Sequence, residues 1–175
     1  SSTPQIPTSS VPTSPEKRSI ARVFLSPEQQ SVLEAAVKHG KNVFFTGSAG
    51  AGKSYLLRQM IHDLHAKYSK SSGAVAITAS TGIAACNIGG ITLHSFSGVG
   101  IGTGTVEQLC RYVRRNRNAV TRWKKTSVLV IDEVSMIDPK LFEKLECVAR
   151  HIRQSVKPFG GIPVSYTHLT LPTKR

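Results

Sequence analysis

Residues 47–54 read GSAGAGKS, following the short apolar run NVFFT and preceding the helix-periodic stretch SYLLRQMIHDLH. The full pattern G-x-x-x-x-G-K-S/T, placed between a strand and a helix, constrains the fold more than any other feature of the chain. Its glycines let successive backbone N–H groups turn inward on phosphate oxygens, and the helix start adds its positive end. Lys53 then sets a cation against the β- and γ-phosphates, and the Ser54 hydroxyl is placed to reach a magnesium ion. A glycine-rich turn that binds nothing is the plain alternative, but here every position of the pattern and its context is filled.

The surrounding segments alternate in kind. In LSPEQQSVLEAAVKHG, Ser26 is a good N-cap, Pro27 sits at the first helical position and Gln29 at the capping-box position. Val32, Leu33, Ala36 and Val37 give that helix one apolar face, and Gly40 ends it. AVAITA and SVLVIDE read as buried strands, and DPKLFEKLECVARHIRQS as a helix capped by Asp138, with Leu141, Leu145, Val148 and Ile152 on one face. Strands alternating with helices imply an α/β domain with a parallel sheet. Residues 1–24, rich in Ser, Thr and Pro, are expected to form a disordered lead.

A net charge of +13 over 175 residues points to a polyanionic partner, most often nucleic acid and less often an acidic membrane surface or protein. No apolar run reaches the roughly 18 residues of a membrane span, so a membrane is not expected as partner. Three cysteines without a C-x-x-C pair give neither a disulfide frame nor a zinc site. Residues 105–126 hold seven basic side chains against the single acid Glu107. Val106, Leu109, Cys110 and Val113 suggest a helix there, with Arg111, Arg114 and Arg115 on its other face. Either a solvated face or a nucleic-acid surface accounts for that run.

A phosphate loop alone leaves kinase, switch GTPase, transport ATPase and motor open. Asp132 and Glu133, closing the strand VLVID, narrow the choice. An aspartate at the end of a buried strand can hold magnesium, and an adjacent glutamate can orient and deprotonate an attacking water. Two carboxylates that merely end a strand in solvent are the bland reading. No guanine-reading motif is found, and nothing suggests the acceptor pocket or lid of a small-molecule kinase.

Taken together, LSPEQ, GSAGAGKS, TASTGIAACNIGGITLHSF and VLVIDEVSM resemble the Pif-family 5′-to-3′ DNA helicases, superfamily-one motors of the RecD-related type, over about residues 25–162. The resemblance implies a RecA-like parallel sheet with flanking helices, incomplete at its C-terminus, using ATP and Mg2+. It implies that Gln29 reads adenine, a role in rivalry with the capping box. Gly47, Ser48, Ala49, Gly50, Ala51, Gly52, Lys53 and Ser54 would hold the triphosphate, with Ser54 and Asp132 on the magnesium and Lys53 and Glu133 catalytic. Ser80, Thr81, Gly82, His94, Ser95 and Phe96 would contact single-stranded DNA. Without the resemblance, that segment reads as a structural turn with Phe96 in the core. The implied partners are single-stranded DNA and duplex junctions, with a monomer allowed. The implied setting is nucleus and mitochondrion, in repair, recombination and telomere maintenance. The alternative is a nucleic-acid-binding module with a vestigial phosphate loop.

After VKPFGGI the family pattern continues as an apolar strand and a GDFxQLPPV-like motif. Here PVSYTHLTLPTKR stands instead. The string PVSYTHLTLPT resembles one reading frame of the transposase adapter used in preparing sequencing libraries. Residues 163–175 are therefore expected to be non-native, which makes 25–162 part of a first motor domain.

Overall fold

In the computed structural model, residues 24–47 and 52–169 are described, Leu169 by its backbone alone. The N-terminal lead up to residue 23 and Ser48 to Ala51 of the phosphate loop lie outside them.

Five strands make one sheet: β1 (Val43–Gly47), β2 (Val75–Ala79), β3 (Ile91–Thr92), β4 (Val128–Asp132) and β5 (Val164–Leu169). Their order is β1-β5-β4-β2-β3 and each neighbouring pair is parallel, as the alternation of strand and helix requires. All C-terminal strand ends therefore open on one edge, the edge where ligands of open α/β sheets bind.

Helices cover both faces. On one lie α1 (Pro27–Leu33) and α2 (Lys53–Lys67), packing Leu33, Leu56, Leu57, Met60 and Leu64 against Phe45, Ile77, Val128 and Val130. The capping box of α1 forms as expected: Ser26 N–H donates to Gln29 Oε1 at 2.9 Å, and Gln29 N–H to Ser26 Oγ at 3.2 Å. The helix then widens, with His39 N–H donating to Glu34 O at 3.1 Å, before Gly40 at φ +58° turns the chain. On the other face lie α4 (Leu93–Ser97), α5 (Val106–Arg115), α6 (Arg117–Lys125) and α7 (Pro139–Arg153). Their apolar sides enclose Trp123, Val113, Leu145 and Val148 against Leu129 and Ile131. Successive residues of β4 thus feed two cores in turn, which is why the strand is apolar without interruption.

Several elements go beyond the sequence expectation. TASTGIAACNIGGITLHSF holds α3 (Gly82–Asn87), β3 and α4. Helices of six and five residues show no readable period and are set by their caps: Thr81 Oγ1 accepts from Ala84 N–H, and Thr92 Oγ1 from Ser95 N–H, each at 3.2 Å. Between them Gly90 is required sterically, because a Cβ there would stand 2.4 Å from Ile77 O. Helix α6 follows α5 after one residue, Asn116, whose Oδ1 accepts from Ala119 N–H at 3.1 Å.

The strand β5 comes from the segment expected to be foreign, and it fills the position between β1 and β4. Its composition suits that place poorly. Ser165 and Thr167 are buried, and both Ser165 Oγ and His168 Nδ1 are buried without a hydrogen-bond partner. Cys86 is exposed, Cys110 buried and Cys147 half-buried, and all three are free thiols.

Candidate active site

Gly47 is the last residue of β1, and Gly52 enters α2 at φ +75°, a left-handed conformation that suits glycine. A Cβ at Gly52 would also meet Gln29 Nε2 at 3.0 Å. The Gln29 amide therefore spans two tasks. Its Oε1 closes the capping box, while its Nε2 end abuts the phosphate loop. With Oε1 held in the capping box, it is the Nε2 end that faces the phosphate loop.

Lys53, the first residue of α2, is 8 % exposed, and its Nζ lies 2.8 Å from Glu133 Oε1. Glu133 follows β4 at φ +55°, left-handed for a residue that carries a Cβ, a conformation costing on the order of 1–3 kcal/mol that clusters at functional sites. Its backbone N–H donates to Thr167 Oγ1 at 3.2 Å, and the Thr167 hydroxyl donates to Asp132 Oδ1. Ser80 N–H donates to Asp132 O at 3.1 Å and fixes the ends of β2 and β4 together. The consequence is a carboxylate pair with one member aimed at the phosphate-loop lysine and the other held by β5.

These groups surround one cavity of about 1080 Å³, lined by Gly52, Lys53, Ser54, Thr81, Asp132 and Glu133 among others. Its size matches that of a site for a small organic molecule. Ser54 and Asp132 bring a hydroxyl and a carboxylate to the same cavity, both hard oxygen donors suited to magnesium. Among the described residues no three His, Cys, Asp or Glu side chains cluster as a cage. Arg58 also lines the cavity. Sequence reasoning passed it over, though its spacing of four residues from Ser54 places it on the same face of α2.

The residues expected to meet DNA divide. Thr81 forms part of the cavity wall, and Gly82 and Ser95 are exposed. Ser80 and His94 are half-buried, and Ser80 Oγ is a buried atom without a partner. Phe96 requires correction. Its side chain is 3 % exposed and packs edge-on against Trp123 with ring centroids 4.9 Å apart, so it cannot stack on a base. The apolar side of α4 is turned into the core, and Phe96 goes with it.

Two residues of the basic run brace this segment instead. Arg122 Nε and Nη2 donate to Phe96 O and Ser95 O, each at 2.9 Å, and Trp123 Nε1 donates to Ser97 O at 3.0 Å. Neither role was visible in the sequence, where the partners lie more than twenty residues away. Thr167 was missed for another reason: it lies in the segment expected to be foreign.

A family profile described as PIF1-like helicase matches residues 24–167. The chain is 53 % identical over 148 residues to the ATP-dependent DNA helicase PIF1 of Emericella nidulans, covering 85 % of this chain and 20 % of that protein. It is 52 % identical to the protein of the same name from Candida albicans, over 84 % of this chain and 16 % of that one. The chain thus spans about a fifth of the length of these relatives. Among solved structures, the crystal structure of Pif1 helicase from Candida albicans superposes with a TM-score of 0.78 at 52 % identity, over 83 % of this chain and 33 % of that one. Pif1 helicase from Bacteroides, crystallised with ADP-AlF3 and single-stranded DNA, superposes with a TM-score of 0.64 at 28 % identity, over 87 % and 34 %.

Proposed function

The chain belongs to the PIF1-like helicase family, and we propose that it is motor-domain sequence of an ATP-dependent 5′-to-3′ DNA helicase acting on single-stranded DNA and duplex junctions. The observation that carries this reading is the gathering of Lys53, Ser54, Asp132 and Glu133 around one cavity at the C-terminal edge of the sheet. The relatives' name and the nucleotide and DNA of the Bacteroides crystal support it.

In this reading Ser54 and Asp132 would hold a magnesium ion, which would supply neutralisation of charge on the phosphates. Lys53 exchanges Glu133 for phosphate oxygens, and Glu133 orients the attacking water and accepts its proton. Ser80, Thr81, Gly82, His94 and Ser95 meet the DNA backbone through hydroxyl, imidazole and N–H groups. A second reading, DNA binding with a vestigial phosphate loop, is favoured by the charge of +13 alone.

Restored to the length of its relatives, the protein should hydrolyse ATP faster with single-stranded DNA, and Lys53→Ala should abolish hydrolysis. Hydrolysis indifferent to DNA would sink the helicase reading. DNA binding unaffected by ATP or by Glu133→Gln would favour the binding module. We further propose that residues 163–175 are foreign to the domain, supported by the orphaned Ser165 Oγ and His168 Nδ1. Long-read sequencing of the source across the codons for Phe159 to Arg175 tests this directly: codons for PVSYTHLTLPTKR in the genome would refute it.

A further inference from the structure

The basic corner where α5 meets α6 is not accounted for by the cavity at the sheet edge. Arg122 is spent on carbonyls of α4. By contrast, the side chains of Arg115, Arg117, Lys124 and Lys125 are exposed and make no ion pair or hydrogen bond among the described residues. Arg115 and Arg117 share the hollow at the corner, where two uncompensated cations side by side repel each other, and a polyanion is what relieves that. A second, independent feature narrows the partner. Tyr112 on α5 is 57 % exposed and stands beside Arg115 and Arg117 at a hollow of about 550 Å³ whose other walls are Asn116 and Asn118.

Tyr112 is also positioned in advance. Its ring closes the loop after α4, so that a Cβ on Gly100 would stand 3.7 Å from Tyr112 Cε1. The same loop begins at Gly98, directly after the braced residues Ser95, Phe96 and Ser97. An aromatic face among planar guanidinium and amide donors suits an unstacked base with its flanking phosphates. An acidic peptide would use the cations but leave the tyrosine idle.

We propose that the α5–α6 corner binds single-stranded nucleic acid, with Tyr112 as a stacking platform for one base and Arg115 and Arg117 on the adjoining phosphates. This extends the strand path that the proposed function lays along Ser80 to Ser95, and it rests on that reading for its direction only. Aromatic stacking is sequence-tolerant, so the corner holds the strand without reading it.

The test is fluorescence anisotropy of the purified chain with labelled oligothymidylates, one short and one long, over a range of salt. Tyr112→Ala should weaken binding of the long oligomer about tenfold and leave the short one unchanged, with Tyr112→Phe restoring it. Replacing Arg115 and Arg117 together with Gln should flatten the dependence of log affinity on log salt by about 1.4, from about 0.7 per phosphate on a single strand. Arg115 and Arg117 are exposed, so thermal melting of the Gln variant should match the parent, and Tyr112→Phe keeps the ring against Gly100 and is the stability control for Tyr112→Ala. The proposal is overturned if both variants keep the parental affinity and slope, if only duplex DNA registers the loss, or if polyglutamate displaces the oligomer as effectively as unlabelled DNA. A doubly substituted His94→Ala, Ser95→Ala chain separates the two readings. If it binds normally while the corner variants fail, the corner stands and the Ser80 to Ser95 path falls. If it alone fails, the path stands and the corner falls.

Discussion

Strands β4 and β5 lie side by side in the sheet, and they solve the same problem with very different residues. Val128, Leu129, Val130 and Ile131 are all within 2 % of full burial, and the strand turns polar only at Asp132, where the sheet edge opens on the cavity. In β5 the buried positions include Ser165 and Thr167, with Ser165 Oγ and His168 Nδ1 left unpaired. A parallel ladder needs only backbone N–H and C=O groups, so pairing alone can seat almost any strand. What differs is the energy of the side chains once they are seated. In β4 they supply two cores, whereas in β5 Val164 and Tyr166 join one core while Ser165 Oγ and His168 Nδ1 are desolvated without a partner.

Breaking the better strand should have the largest effect. Leu129 is fully buried in the core beneath α5 and α7, and Leu129→Ala should cost about 2–5 kcal/mol of stability in a denaturant titration. A loss under about 1 kcal/mol would mean that the two strands are equally loose and would erase the contrast.

Next comes the one point where β5 serves the site. Thr167 Oγ1 donates to Asp132 and accepts from Glu133 N–H. Thr167→Val keeps the shape and removes both bonds, at a cost of about 1–3 kcal/mol. Glu133 should also relax from its left-handed conformation, which nuclear magnetic resonance of its backbone would register. Unchanged stability and unchanged Glu133 shifts would show that the carboxylate pair stands without β5.

The smaller change should go the other way. Ser165→Ala removes an orphaned hydroxyl without adding volume and should raise stability by about 1 kcal/mol. A fall instead would mean that the hydroxyl has found a partner and that β5 fits its place.

The contrast also separates what the sequence discloses from what it withholds. The strand–loop–helix at Gly47 to Ser54, the Ser26–Gln29 capping box and β4 were legible because each is carried by residues close together in the chain. The short α3 and α4 were not, since two threonine caps and a steric need at Gly90 leave no period. Phe96 was placed in the DNA path because a resemblance assigns a segment, whereas burial is decided residue by residue through distant partners such as Trp123. Arg122 and Trp123 read as members of a charge run for the same reason: their carbonyl partners are on another helix.

The smallest expected effect reads the β4 side from within. Cys110 is buried in the core that contains Leu129, and burial pushes its thiol above the ordinary value, whereas Cys86 lies exposed on α3. Iodoacetamide should therefore modify Cys86 first, Cys147 more slowly and Cys110 only as fast as the domain opens, since the thiolate is the reacting form. The sign with pH follows from the raised thiol. Its contribution to stability is complete below the unfolded thiol's pKa and is lost as pH climbs through the folded value, so opening at Cys110 should quicken in alkali. Leu129→Ala should speed Cys110 labelling and Ser165→Ala should slow it, with Cys86 unchanged in both, read by mass spectrometry of the labelled peptides. If Cys110 labels as fast as Cys86 in the parent chain, the core over β4 is not closed, and the difference between the two strands is one of composition only.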